Sequence, residues 1–170
     1  MFKSISDFNN TSDYLSILNG ALITDLFVIF LLIFGVIKSK VLVEWYRKYN
    51  LCAVIADVLI IVIGIIMARF AYPYVFGEKF SLINFIGLAL AIQIVHDILF
   101  YYMFQLVPRG KNMMLDTFKD YANEVGFKAV LSDSLMIIMA CLLSSYFVSL
   151  NLNTNNYFFT LVLEPLNMWN

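Results

Sequence analysis

The sequence predicts an all-α fold: an integral membrane four-helix bundle with a cytoplasmic amphipathic helix between its third and fourth spans. Three observations predict it. Hydrophobic residues make up 62% of the 170 residues and charged residues 14%, against roughly 45–50% and 25% in a soluble domain. Mean hydropathy is +0.83. Four separate apolar runs come near the roughly 20 residues that cross a bilayer as a helix. A soluble globule of this size has too much surface for its volume to hide so much apolar area. The composition excludes a disordered chain and a cytosolic enzyme of the usual kind. A formal net charge of −1 gives no field that would recruit nucleic acid.

The elements follow in order along a single transmembrane domain, residues 1–170. The first 19 residues are polar and carry Asp7 and Asp13, and no small-residue cleavage site follows the first apolar run, so that run is expected to act as an uncleaved signal. The first span covers about 20–37. Residues 38–50 (KSKVLVEWYRKYN) hold four cations and read as a wet interface. The second span covers about 51–76 and stops where Pro73 and Gly77 interrupt it. The third covers about 82–107, and the fourth about 129–150. Helix is the expected state of each, because a backbone in lipid must satisfy its own hydrogen bonds and these runs lack the alternation of a barrel strand.

Between the third and fourth spans, Asn112 is placed to cap a helix over about 112–126 that ends near Gly126. Met114, Leu115, Phe118, Tyr121, Ala122 and Val125 share one face by helical spacing, and Asp116, Lys119, Asp120, Asn123 and Glu124 fall largely on the other. That pattern suits a helix lying on the membrane surface. It serves equally for docking on another protein or for packing on its own bundle. Residues 151–156 (NLNTNN) read as a turn-like exit from the membrane. The tail 151–170 is too short in apolar residues to span, and its stretch 157–164 suits a strand or wedge docked on a partner. Met114, Phe118, Tyr121, Tyr157, Phe158, Phe159 and Trp169 are the candidate partner contacts.

Orientation follows from cations, which stay cytoplasmic. Lys38, Lys40, Arg47 and Lys48 lie in the first loop, and Arg109, Lys111, Lys119 and Lys128 in the third. Only Lys3 and Lys79 lie on the opposite side. Both termini are therefore expected in the lumen or outside, where the overlapping sequons at Asn9 and Asn10 would also sit.

Ionisable groups inside spans are costly and need partners. Asp25 and Arg69 fall at matched depth toward the outer end, as an ion pair or as two separately hydrated groups with Arg69 snorkelling. A second group, Asp57, Gln93, His96, Asp97 and Asp133, falls in the inner half. Gln93, Asp97, Tyr101 and Gln105 recur at four-residue steps along the third span, with His96 beside them. This cluster reads first as interhelical glue. The alternative is a proton or cation path through Asp57, His96, Asp97 and Asp133. Small-residue steps at Gly64/Ala68 and Gly87/Ala91 are expected to let helices approach. Cys52 and Cys141 read as small buried hydrophobes.

No nucleophile elbow, P-loop, Gly-rich fingerprint or metal-spaced His/Cys cluster is present in the sequence, so no catalytic residue, cofactor or metal site is expected. Two stretches, 94–101 (IVHDILFY) and 107–136 (VPRGKNMMLDTFKDYANEVGFKAVLSDSLM), resemble small multi-pass membrane proteins of nucleocytoplasmic large DNA viruses. The resemblance implies a virion protein of the inner membrane beneath the capsid, inserted in a host endomembrane during assembly. Its implied partners are the lipid bilayer, minor capsid proteins and other membrane proteins. The expected function is therefore non-enzymatic and structural, in a homo- or hetero-oligomer. A small proton or cation channel or transporter is the alternative.

Overall fold

The computed structural model describes residues 2–167, with side chains as far as Val162. Among these residues the chain forms seven α-helices and no strand. They are α1 (Tyr14–Ile33), α2 (Lys40–Tyr49), α3 (Leu51–Phe76), α4 (Leu82–Leu106), α5 (Met113–Val125), α6 (Lys128–Phe147) and α7 (Leu152–Asn167). Four stretches are long and apolar enough to cross a membrane: α1 with its preceding 3-10 turn, α3, α4 and α6.

These four close into a ring. α1 packs on α3 and α6, and α4 packs on the same two, so α1 and α4 stand across from each other. α2 lies on α3 and α5, and α5 also touches α4 and α6. Both short helices therefore cover one end of the ring. α7 folds back along α1.

Local chemistry sets the boundaries. The Asn10 side chain accepts from Ser12 N at 3.3 Å and from Ser12 Oγ at 2.6 Å, starting the 3-10 turn Thr11–Asp13 that runs into α1. α1 thus begins six residues before Gly20, where the apolar run starts. Helix α2 was not foreseen in the wet loop 38–50. Ser39 caps it, accepting from Leu42 N at 3.0 Å. Asn50, with φ 45°, turns the chain directly into α3. The Tyr72 hydroxyl pins the 77–81 turn, accepting from Ser81 N at 2.7 Å and donating to Lys79 O at 3.1 Å. Asn112 Oδ1 accepts from Met114 N and Leu115 N, at 2.9 and 3.1 Å, and Gly126 ends α5 with φ 59°.

Three expectations are corrected here. Residues 152–156 are helix, not a turn, because Asn151 Oδ1 caps α7 by accepting from Thr154 N at 2.8 Å. The stretch 157–164 is accordingly helix and not a strand. Lys119, assigned to the polar face of α5, is buried, and its ammonium donates to the carbonyl of Val107 at the C-terminal end of α4. A cation there meets the carbonyls that the helix leaves unpaired.

The closest helix approach is also elsewhere than expected. A Cβ on Gly20 would lie 2.8 Å from Ser144 N and 2.9 Å from Ala140 O. Ser16, Gly20 and Thr24 on α1 thus face Ala140 and Ser144 on α6, all of them buried. The Thr24 and Ser144 hydroxyls bond back to their own helices, at 2.8 Å to Gly20 O and 2.6 Å to Ala140 O. The groups that meet are therefore small and already satisfied. By contrast, a Cβ on Gly64 would meet only Ile137 Cδ1 at 3.9 Å, and one on Gly87 nothing within 4 Å.

Candidate functional site

The polar residues inside the ring fall into two sets at different levels. The first is a node at the end covered by α2 and α5. Each ring helix contributes one aspartate: Asp25 from α1, Asp57 from α3, Asp97 from α4 and Asp133 from α6. Asp25 and Asp57 lie close enough to feel each other's charge, and Asp133 lies within similar reach of Asp97 and Asp57.

Helix α2 holds two of them. Tyr46 donates its hydroxyl to Asp25 Oδ1 at 2.8 Å and also lies against Asp57. Trp45 Nε1 donates to Asp57 Oδ2 at 3.0 Å. Burial, then the carboxylates of Asp57 and Asp25, push the Tyr46 phenol far up, so it remains a donor. On α4, Asp97 Oδ1 accepts from Gln93 Nε2 at 2.6 Å and lies 3.3 Å from His96 Nδ1. The His96 ring stacks on Phe100, with centroids 5.6 Å apart. From α5, Tyr121 approaches Asp133 and Asp57, and burial first, then these carboxylates, push its phenol up. Two buried carboxylate oxygens, Asp25 Oδ2 and Asp97 Oδ2, have no hydrogen-bond partner.

The node gathers Asp57, Gln93, His96, Asp97 and Asp133 and adds Asp25, which had been assigned to the outer half. The displacement has a simple cause. Counted from Tyr14 rather than Gly20, Asp25 lies about 16 Å along α1, past its middle. The expected stripe on α4 also breaks up: Gln93 is buried, while Tyr101 and Gln105 are exposed. Four-residue steps advance 400°, so three of them turn the stripe about 120° away from Gln93.

The second set is a lock at the opposite end. Arg69 is fully buried and pairs with Asp13, Nη2 to Oδ2, at 3.3 Å. The same nitrogen donates to Asn10 O at 2.9 Å and to Asp7 O. Its guanidinium stands 5.0 Å from the Tyr14 ring centroid. The Asp25–Arg69 pair is therefore corrected to Asp13–Arg69. The N-terminal segment forms a strap over this end, with Ile5 fully buried and the Ser145 hydroxyl donating to Lys3 O at 2.5 Å. Asn19 Nδ2 donates to Asn155 O at 2.9 Å and ties α7 to α1.

The candidate partner contacts are mostly engaged within the chain. Phe118 packs against Trp45, Phe100 and Phe104, with ring centroids 5.0, 5.1 and 6.4 Å apart. Met114 and Phe159 rest on the core, and Phe158 meets Phe147 at 5.3 Å. Tyr121 faces the node, and only Tyr157 stays well exposed. Trp169 lies outside the described residues. The polar set on the α2/α5 surface was missed. Glu124 of α5 accepts from Ser39 Oγ and Lys40 N, each at 2.8 Å, and from Val41 N at 3.0 Å, so it caps α2 from another helix. Cys141 is buried as expected, but Cys52 is exposed; both thiols are free. Comparison with protein-family models, curated proteins and solved structures found no match.

Proposed function

We propose that this chain is a non-enzymatic, multi-pass membrane protein with a structural role, a component of a viral particle's inner membrane. The observation that carries the reading is how its scarce polar groups are used. Asp25, Asp57, Arg69 and Asn19 each bond to a different segment of the chain. That is the pattern of interhelical adhesion, where a polar group in lipid is tolerated because another helix satisfies it.

The competing reading, a proton or cation path, finds less support. One turn beyond their aspartates, α1, α3 and α6 present Ala21, Ile61 and Ile137, and one turn beyond Gln93 α4 presents Ala89, all buried. A conducting line needs polar groups or water at that level.

The cations of the 38–50 and 108–128 segments favour a cytoplasmic location for α2 and α5, with both termini lumenal. On that surface a shallow groove between the two helices is lined by Val41, Glu44, Lys48, Met113, Asp116 and Asp120. It is the docking face for a minor capsid or neighbouring membrane protein, and the lipid bilayer covers the exposed apolar flanks. The virion assignment draws on the resemblance carried by residues 94–101 and 107–136. Protein quantification of purified, membrane-bearing particles tests it. Recovery at fixed stoichiometry supports the reading, and absence from the particles overturns it.

A further inference from the structure

The aspartate node has one property that adhesion does not explain. Asp25 is fully buried, yet its Oδ2 has no donor, and its Oδ1 is already taken by Tyr46. Asp97, a half-buried side chain, likewise has a buried Oδ2 without a donor. A buried carboxylate oxygen without a donor is an acceptor left empty.

The surroundings supply no fixed positive charge to fill it. The titratable groups facing the node are Asp25 from α1, Tyr46 from α2, Asp57 from α3, His96 and Asp97 from α4, Tyr121 from α5 and Asp133 from α6. Glu124 acts on Tyr121 from the rim and adds another acid. The lysine of α5, Lys119, is held by the Val107 carbonyl instead. Among the described residues His96 is the one basic group paired with a carboxylate of the node, and that carboxylate is Asp97. Four carboxylates thus face at most one imidazolium. A metal ion is a poor fit, because no three Asp, Glu, His or Cys side chains among the described residues converge to ligate one.

We propose that the node is a proton-binding site in which Asp25, Asp57, Asp97 and Asp133 share protons exchanged with the α2/α5 end of the bundle. In the binding step a hydronium ion gives its proton to a carboxylate oxygen and leaves as water, and no other bond changes. Of the node's side chains, His96 and Asp97 on α4 are 37% and 14% exposed, against none for Asp25, so Asp25 is the most enclosed of these groups. The apolar level of Ala21, Ile61, Ala89 and Ile137 closes the other side. The Tyr46 hydroxyl between Asp25 and Asp57 relays the shared proton's position to α2. The site stands apart from the virion assignment and is tested separately from it.

Infrared spectroscopy of the full chain in lipid nanodiscs tests the proposal. The folded wild type is expected to show a carboxylic-acid carbonyl band at neutral pH that shifts in D2O. Asp25→Asn removes a component of that band, Asp97→Asn does the same, and Glu78→Gln in the exposed 77–81 turn leaves it intact. Circular dichroism checks folding, and Asp97→Asn decides if Asp25→Asn does not fold. Absence of the band in the folded wild type overturns the proposal. So does a band undiminished in the folded variants, or one displaced by sodium chloride but not by choline chloride, which would make the node a sodium site.

Discussion

The Tyr46 hydroxyl donates to Asp25 Oδ1 at 2.8 Å, joining the short helix α2 to a carboxylate in the wall of the ring with no exposed surface of its own. Trp45, one residue earlier, makes the parallel bond to Asp57 at 3.0 Å. Two adjacent aromatic residues therefore anchor the cover helix to two different spans. Their polar tips reach in while their rings pack, a use for which tyrosine and tryptophan are suited.

Tyr46→Phe removes the donor and keeps the ring. The loss of one hydrogen bond to a buried carboxyl group is expected to cost about 1–3 kcal/mol. Reversible unfolding in mixed detergent measures it. An unchanged midpoint would show that this bond does not hold α2 in place.

Glu124 is outside the spans, and its stabilisation has a definite pH sign. Burial raises its carboxyl, but the amides of Val41 and Lys40, the Ser39 hydroxyl and the Lys40 charge together bring it below the ordinary 4.5. A carboxylate favoured in the folded state stabilises fully above the ordinary value, and this contribution is lost as pH falls through the lower folded value. Amide exchange at Lys40 and Val41 should therefore accelerate on acidification. Glu124→Ala should show fast exchange already at neutral pH, at a cost of about 1 kcal/mol for a lost helix cap.

Gly20 and Gly87 give opposite outcomes for the same change. Gly20→Ala forces a methyl group against Ser144 N and Ala140 O, spaces of 2.8 and 2.9 Å, and should destabilise by about 1–3 kcal/mol through overpacking. Gly87→Ala meets open space and should be neutral or slightly stabilising. Equal midpoints for the two variants would contradict the α1–α6 contact.

Arg69→Leu deletes the guanidinium that Asp13 faces and the side-chain donor shared by the carbonyls of Asp7 and Asn10. Breaking a buried pair from one side costs about 3–5 kcal/mol. The strap over residues 2–10 should become open to protease, and Asp13→Asn should loosen it less, because both carbonyl bonds remain. A strap equally resistant in Arg69→Leu and wild type would rule out the lock.

Much of the fold was legible as period and punctuation. The four long apolar helices and the Asn112 and Gly126 boundaries of α5 could be read directly, because each depends on nearby residues. Depth was less legible. Asp25 was misplaced because the apolar run and the helix do not start together; Asn10, ahead of the run, carries the start signal. Helix α2 had a readable pattern in Ser39 followed by Leu42, Trp45, Tyr46 and Tyr49, obscured by the four cations of the 38–50 segment. The α1–α6 contact was written as Ser16, Gly20 and Thr24 against Ala140 and Ser144, but choosing it over other small-residue steps requires knowing which helices are neighbours. The aspartate node needed the ring itself, since its members come from four helices.

The central claim is that the polar groups inside the ring hold helices together and do not form a path across it. Proton and cation flux into sealed liposomes containing the purified chain tests this most directly. The account predicts flux no greater than in empty liposomes. Flux above that level, abolished by Asp97→Asn, would contradict it.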